Sequence, residues 1–152
     1  MVVNRITREE YSNKLTGEGA KKAGGRWNPK GLSVIYTSDT VSLAALEVLV
    51  NTPTTRLPKD LVLVSIEIAG NIFSKEIAVD QLSKEWRANN SKTVTKQIGR
   101  EWLKSNESLI LKVPPVVIPS EKNILLNPGH ENFSKVKVID VSRFQLDSRL
   151  LD

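Results

Sequence analysis

A chain of 152 residues is long enough for one continuous core and too short for two ordinary domains, so residues 1–152 are expected to form a single domain. Its 22 basic and 17 acidic side chains give a net charge of +5, and 39% hydrophobic with 26% charged residues excludes a disordered or fibrous chain. No run of about 18 apolar residues is present to span a membrane.

The absence of cysteine removes a disulfide framework and a thiolate nucleophile, and a lone histidine, His130, argues against a His/Cys metal site. MVVNRITREE lacks the pattern of a secretory signal, so a cytoplasmic location is expected. The basic surplus is spread without a block. It reads either as a solvated lysine-rich surface or as a weak preference for phosphate-bearing ligands or nucleic acid.

In chain order, a first strand is expected over Val2 to Ile6, and the capping-box spacing of Thr7-Arg8-Glu9-Glu10 predicts a short helix after it. Gly17 and Gly19 open a loop that runs through Gly24 and Gly25 to Asn28-Pro29-Lys30-Gly31. Ser33 to Thr37 reads as a strand, and Ser38 or Asp39 as the cap of a helix over Thr40 to Val50, stopped by Asn51-Thr52-Pro53. Leu61 to Ile68 is a strand with Val62, Val64, Ile66 and Ile68 on one face.

Asn71 to Asn90 yields no clear element. Thr93 to Lys104 reads as a helix. Extended pieces follow at Ser108 to Val113, Val116 to Ile118 and Asn123 to Leu126, broken by Pro114-Pro115, Pro119 and Pro128, and a last strand covers Lys135 to Val141. Strands interspersed with few helices predict a compact α+β domain with a mixed or antiparallel sheet.

GGRWNPKGLSVIYTSDTVSLAALEVLV contains the chemistry. On a helix, the neighbours of Glu47 three and four residues away are Leu43, Ala44, Val50 and Asn51, a mostly apolar face. Such a carboxylate is either protonated, paired with a cation or lining a cleft where a ligand supplies the partner, or it simply reaches solvent or makes a structural ion pair. Arg26, between Gly25 and Trp27, is the cation to set opposite it. Tyr36 either fills the core or brings its ring to the same cleft. Trp27, Trp86 and Trp102 are assigned to packing.

This run resembles the RES domain, the toxin half of a bacterial toxin–antitoxin system, named for an arginine, a glutamate and a serine. IGREWL, the LKVPP region, PSEKNILLNPGHENF and the terminal FQLDSRLLD follow the order and spacing of that family's later motifs, so the resemblance covers nearly the whole chain. It implies a fold similar to the diphtheria-toxin-like ADP-ribosyltransferases and an action on NAD+ as substrate, with no separate cofactor and no metal. The expected reaction is cleavage of NAD+ by hydrolysis or phosphorolysis, or transfer of ADP-ribose to a protein. The family's arginine, tyrosine and glutamate fall on Arg26, Tyr36 and Glu47, the catalytic set, with Arg26, Tyr36 and Ser38 also expected to bind NAD+. The implied partner is a cognate helix-turn-helix antitoxin that blocks the active site and through which alone DNA is reached; the complex can hold several copies of the chain.

The family's serine falls on Pro115, which has neither hydroxyl nor N–H. Ser120 and Asn123, with Asn127, are the candidates to take over its contact. Ser120 between Pro119 and Glu121 is equally a turn residue, and if nothing replaces the serine the chain is a non-catalytic binding domain. His130 is either a hydrogen-bonding loop residue or a group that reaches a phosphate.

Overall fold

The computed structural model describes residues 1–88 and 92–151. Asn89 and Asn90, at the end of the segment left without an element, and Asp152, which ends the C-terminal match, lie outside the described residues. In chain order the elements are β1 (Val2–Arg8), α1 (Glu18–Ala23), β2 (Ile35–Ser38), α2 (Val41–Asn51), β3 (Leu61–Ile68), β4 (Ser74–Glu76), α3 (Lys92–Ser105), β5 (Ile110–Val113), β6 (Asn123–Leu126) and β7 (Val136–Arg143). The strands form one seven-stranded sheet in the order β4-β5-β6-β2-β1-β3-β7. Every pairing is antiparallel except β4 with β5, so the α+β architecture with a mixed sheet is the observed one.

Two halves of this sheet are built differently. In β3 the alternation places Val62, Val64, Ile66 and Ile68 inside, and β1 pairs with it along its full length, from Val2–Glu67 to Arg8–Leu61. By contrast, β5 and β6 are buried on both faces. Ile110, Ile124 and Leu126 join Ile35 and the β1–β3 core, while Leu111, Val113 and Leu125 pack with Trp27, Trp102 and Leu103 on the α3 side. The unbroken apolar run Ile124-Leu125-Leu126 reflects that double burial.

The halves meet at one point. β1 pairs with β2 at Asn4 and Ser38 alone, where Asn4 Nδ2 donates to the carbonyls of Ser38 (3.4 Å) and Asp39 (3.3 Å). Beyond Asn4 the two strands part, and α2 packs beside the opening with Leu43 and Ala44 buried. The cap of α2 is Thr40, not Ser38 or Asp39: its Oγ1 accepts from the Leu43 amide at 3.1 Å and donates to Glu121.

Three other expectations are corrected. Thr7 to Glu10 does not start a helix; β1 continues through Arg8 because its pairing with β3 persists to Leu61, leaving a single 3₁₀ turn at Glu9–Tyr11 without a side-chain cap. The segment read as a glycine loop holds the six-residue α1, which the left-handed Gly17 (φ 73°) precedes and Gly24 (φ 70°) ends. Val116 to Ile118 is not a strand; it follows Pro114-Pro115, and the Val116 carbonyl is taken by the Arg87 guanidinium at 2.7 Å.

Candidate active site

The split in the sheet opens into a cavity of about 950 Å³. β1, β2 and α2 line it together with the Gly24–Trp27 loop and Pro114–Val117. Alternation aims Tyr36 and Ser38 of β2 to the same face, and the Ser38–Asn123 register brings Asn123 of β6 beside them.

Glu47 reaches this face from α2 and is half-buried. Its Oε1 accepts from Asn123 Nδ2 at 2.9 Å and its Oε2 from Asn51 Nδ2 at 3.2 Å. Asn51 Nδ2 also donates to the Glu47 carbonyl at 2.8 Å, which ties the carboxylate to the last turn of its own helix. Ser38 Oγ donates to Asn123 Oδ1 at 2.8 Å, so the Asn123 amide can present only its nitrogen to Glu47. Among the described residues Glu47 makes no salt bridge. It is a carboxylate held by neutral amides in a cleft, not half of a structural ion pair.

Arg26 lines the same cavity. Its Nη1 donates to the Trp86 carbonyl at 3.0 Å. Burial pushes the guanidinium pKa down, and the charge of Glu47 followed by the Tyr36 oxygen pushes it back up. A guanidinium starts so high that it stays charged.

Tyr36 combines the two roles open to it: the ring lines the cavity and packs against the α3-side core. Its hydroxyl accepts from the Trp27 amide at 3.1 Å and donates to Asn28 Oδ1 at 2.7 Å. Burial raises its pKa well above the ordinary phenol value. Gly25 is what allows this approach, since a Cβ there would lie 2.6 Å from the Tyr36 hydroxyl. Fully buried Asn28 completes the loop, its Nδ2 donating to the carbonyls of Ala20 (2.9 Å), Leu32 (3.1 Å) and Pro29 (3.2 Å).

Ser38 and Asn123 both line the cavity, but each is engaged in holding Glu47. Ser120 is exposed, in the turn after Pro119, and outside the cavity lining. Asn127 is buried away from it, bonded to Asn106 and the Gly129 amide, and His130 caps a 3₁₀ turn through Nδ1, which accepts from the Asn132 amide at 3.0 Å. Pro115 is a buried part of the cavity wall. Trp86 and Trp102 pack as expected, whereas Trp27 both packs and lines the cavity. Sequence reasoning missed Asn28 and Asn51, and the cations Arg87 and Lys92 that also line the cavity. Asn51, one turn after Glu47 on the same helix, was visible as a neighbour; the others depend on chain closure.

The architecture matches a chain in the crystal structure of the M. tuberculosis MbcT–MbcA toxin–antitoxin complex with a TM-score of 0.77, covering 95% of this chain and 84% of that one. At 16% identity the likeness is one of fold. In sequence the chain is 38% identical to a protein named Toxin Res from Photorhabdus laumondii, over 99% of this chain and 97% of the relative. It is 34% identical to a Prs ADP-ribosylating toxin from a Sphingobium species, over 92% and 88% respectively. These likenesses set it in the class of bacterial toxins. The RES domain model matches residues 2–147, and the chain belongs to the RES domain family.

Proposed function

We propose that the chain is a toxin that cleaves NAD+ at the bond between nicotinamide and ribose. The observation that carries this reading is the disposition of Glu47: a carboxylate fixed by two side-chain amides, without a salt bridge among the described residues, lining with Arg26 one cavity of about 950 Å³. Cleaving the glycosidic bond sends its electron pair to nicotinamide and builds positive charge on the ribose. A fixed carboxylate nearby stabilises that charge and can hold a ribose hydroxyl. Water or the oxygen of inorganic phosphate then adds at the ribose carbon, giving ADP-ribose or its phosphate ester.

Arg26 grips the pyrophosphate through its remaining N–H donors, with Arg87 and Lys92 adding positive charge to the wall. The Tyr36 ring flanks the nicotinamide; its hydroxyl, spent on the loop, plays no part in proton transfer. Ser38 acts through Asn123, and Asn123 through Glu47. NAD+ is the substrate, and no other cofactor enters the scheme. A helix-turn-helix antitoxin that covers the cavity mouth is the expected partner, with DNA reached only through it and several chains able to share one complex. No helix among the described residues is long and apolar enough to cross a membrane, and NAD+ consumption belongs in the cytoplasm.

The name of the Sphingobium relative favours a second reading, transfer of ADP-ribose to a protein acceptor. The test is nicotinamide release from NAD+ by the purified chain, with and without inorganic phosphate. Release is expected, and a dependence on phosphate separates phosphorolysis from hydrolysis. Label from NAD+ appearing on a protein supports transfer. Binding of NAD+ with no release and no label, unchanged by Pro115→Ser, would overturn catalysis in favour of a binding domain.

A further inference from the structure

Helix α3 contributes no side chain that the scheme above uses beyond Lys92, at its start, yet one of its faces is built against the arginine loop. Thr95 and Gly99, one turn apart, are both buried there. Thr95 Oγ1 donates to the Arg26 carbonyl at 2.6 Å, across 69 residues of sequence. From the opposite side, the Tyr36 hydroxyl accepts from the Trp27 amide. That carbonyl and that amide belong to a single peptide unit, the one joining Arg26 to Trp27. The plane from which the Arg26 side chain springs is therefore held at both of its polar atoms, by α3 on one side and β2 on the other.

The next peptide is set by contact. A Cβ at Gly99 would fall 1.6 Å from the Trp27 carbonyl oxygen and 2.7 Å from its carbon, so the loop backbone lies directly on the helix where the side chain is missing. With both polar atoms of the preceding peptide occupied, rotation of that unit requires breaking two part-buried hydrogen bonds.

We propose that Thr95 and Gly99 are positioning residues for Arg26, fixing through the Arg26–Trp27 peptide where the guanidinium meets the phosphates of the substrate. This rests on the NAD+ reading for its kinetic consequence and on the geometry alone for its structural one. The role is confined to aim: Thr95 is not among the residues that line the cavity and donates no proton to substrate.

The experiment compares wild type with Thr95→Val, which keeps shape and loses the hydroxyl, and Thr95→Ser, which restores it. Two quantities are read: KM and kcat for nicotinamide release, and the hydrogen-exchange rate of the Trp27 amide. Loss of one part-buried hydrogen bond is expected to raise KM by about 10-fold with kcat within about twofold, because Arg26 grips ground and transition states alike. Trp27 exchange should accelerate, and Thr95→Ser should return both values toward wild type. If Thr95→Val fails to fold, Thr95→Ala replaces it. Unchanged Trp27 exchange, or a fall in kcat with KM unaltered, would overturn the inference. A wild type that releases no nicotinamide would refute the proposed cleavage instead, and the exchange rates would then decide the positioning role by themselves.

Discussion

The two walls of the cavity are secured by different means. Glu47 is held through its side chain, by amides of Asn123 and Asn51 that a single substitution can remove. Arg26 has one side-chain bond, from Nη1 to the Trp86 carbonyl, and its main chain is held besides, in a loop bound to buried Asn28, to the Tyr36 hydroxyl and to α3. A contact between polar side chains at a half-exposed cleft adds little to stability, whereas the loop's bonds engage the fully buried side chains of Asn28 and Thr95, whose polar atoms are costly to leave unpaired. Substitutions on the carboxylate wall should therefore alter chemistry while sparing the fold, and those beneath the arginine wall should alter both.

Arg26→Ala has the largest expected effect of the variants that separate the walls. Losing charge-assisted phosphate contacts should lower kcat/KM by about 10²-fold, mostly through KM, in steady-state assays of nicotinamide release. Asn123→Ala should lower kcat by about 10-fold by leaving Glu47 Oε1 without its donor, while the melting temperature stays within about 3 °C of wild type. An equal loss of both would erase the contrast.

Tyr36→Phe should cost about 1–2 kcal/mol in thermal or denaturant unfolding, since it leaves the Trp27 amide and Asn28 Oδ1 unpaired. Its pH dependence has a definite sign. The folded protein holds the Tyr36 proton more tightly than the unfolded chain does. That contribution is fully present below about pH 10 and is lost as pH rises beyond it, so wild type should lose stability in alkali more steeply than Tyr36→Phe. Smallest of all, Lys75→Ala removes an exposed ion pair with Glu107 on the far edge of the sheet, and should shift stability by less than about 0.5 kcal/mol with no change in kinetics.

The carboxylate wall was largely legible in the sequence, and the arginine wall only in part. A glutamate within Ala44-Ala45-Leu46-Glu47-Val48-Leu49 violates the local pattern, and such violations are readable without knowing what faces them. The alternation of β3 and the run in β6 were read with their observed bounds, because burial imprints itself on consecutive residues. α1 was hidden by its short length and by glycines that suggested a loop. The cap of α2 was displaced to Thr40 because the Ser38 hydroxyl is committed to Asn123, a partner 85 residues away. Gly99 and Thr95 looked like ordinary helix positions. Only the crossing of α3 over the Gly24–Trp27 loop gives them meaning, and no local pattern encodes that crossing.

The most direct test of the account is turnover of Glu47→Gln, measured as nicotinamide released from saturating NAD+ alongside its NAD+ affinity. Glutamine keeps the shape and one acceptor oxygen for the Asn123 amide, giving up the acceptor that faces Asn51, and it lacks the charge that stabilises an oxocarbenium-like ribose. The expected result is kcat reduced by about 10²-fold or more with NAD+ affinity close to wild type. Cleavage at the wild-type rate would contradict it, and would move the chemistry away from the carboxylate on α2.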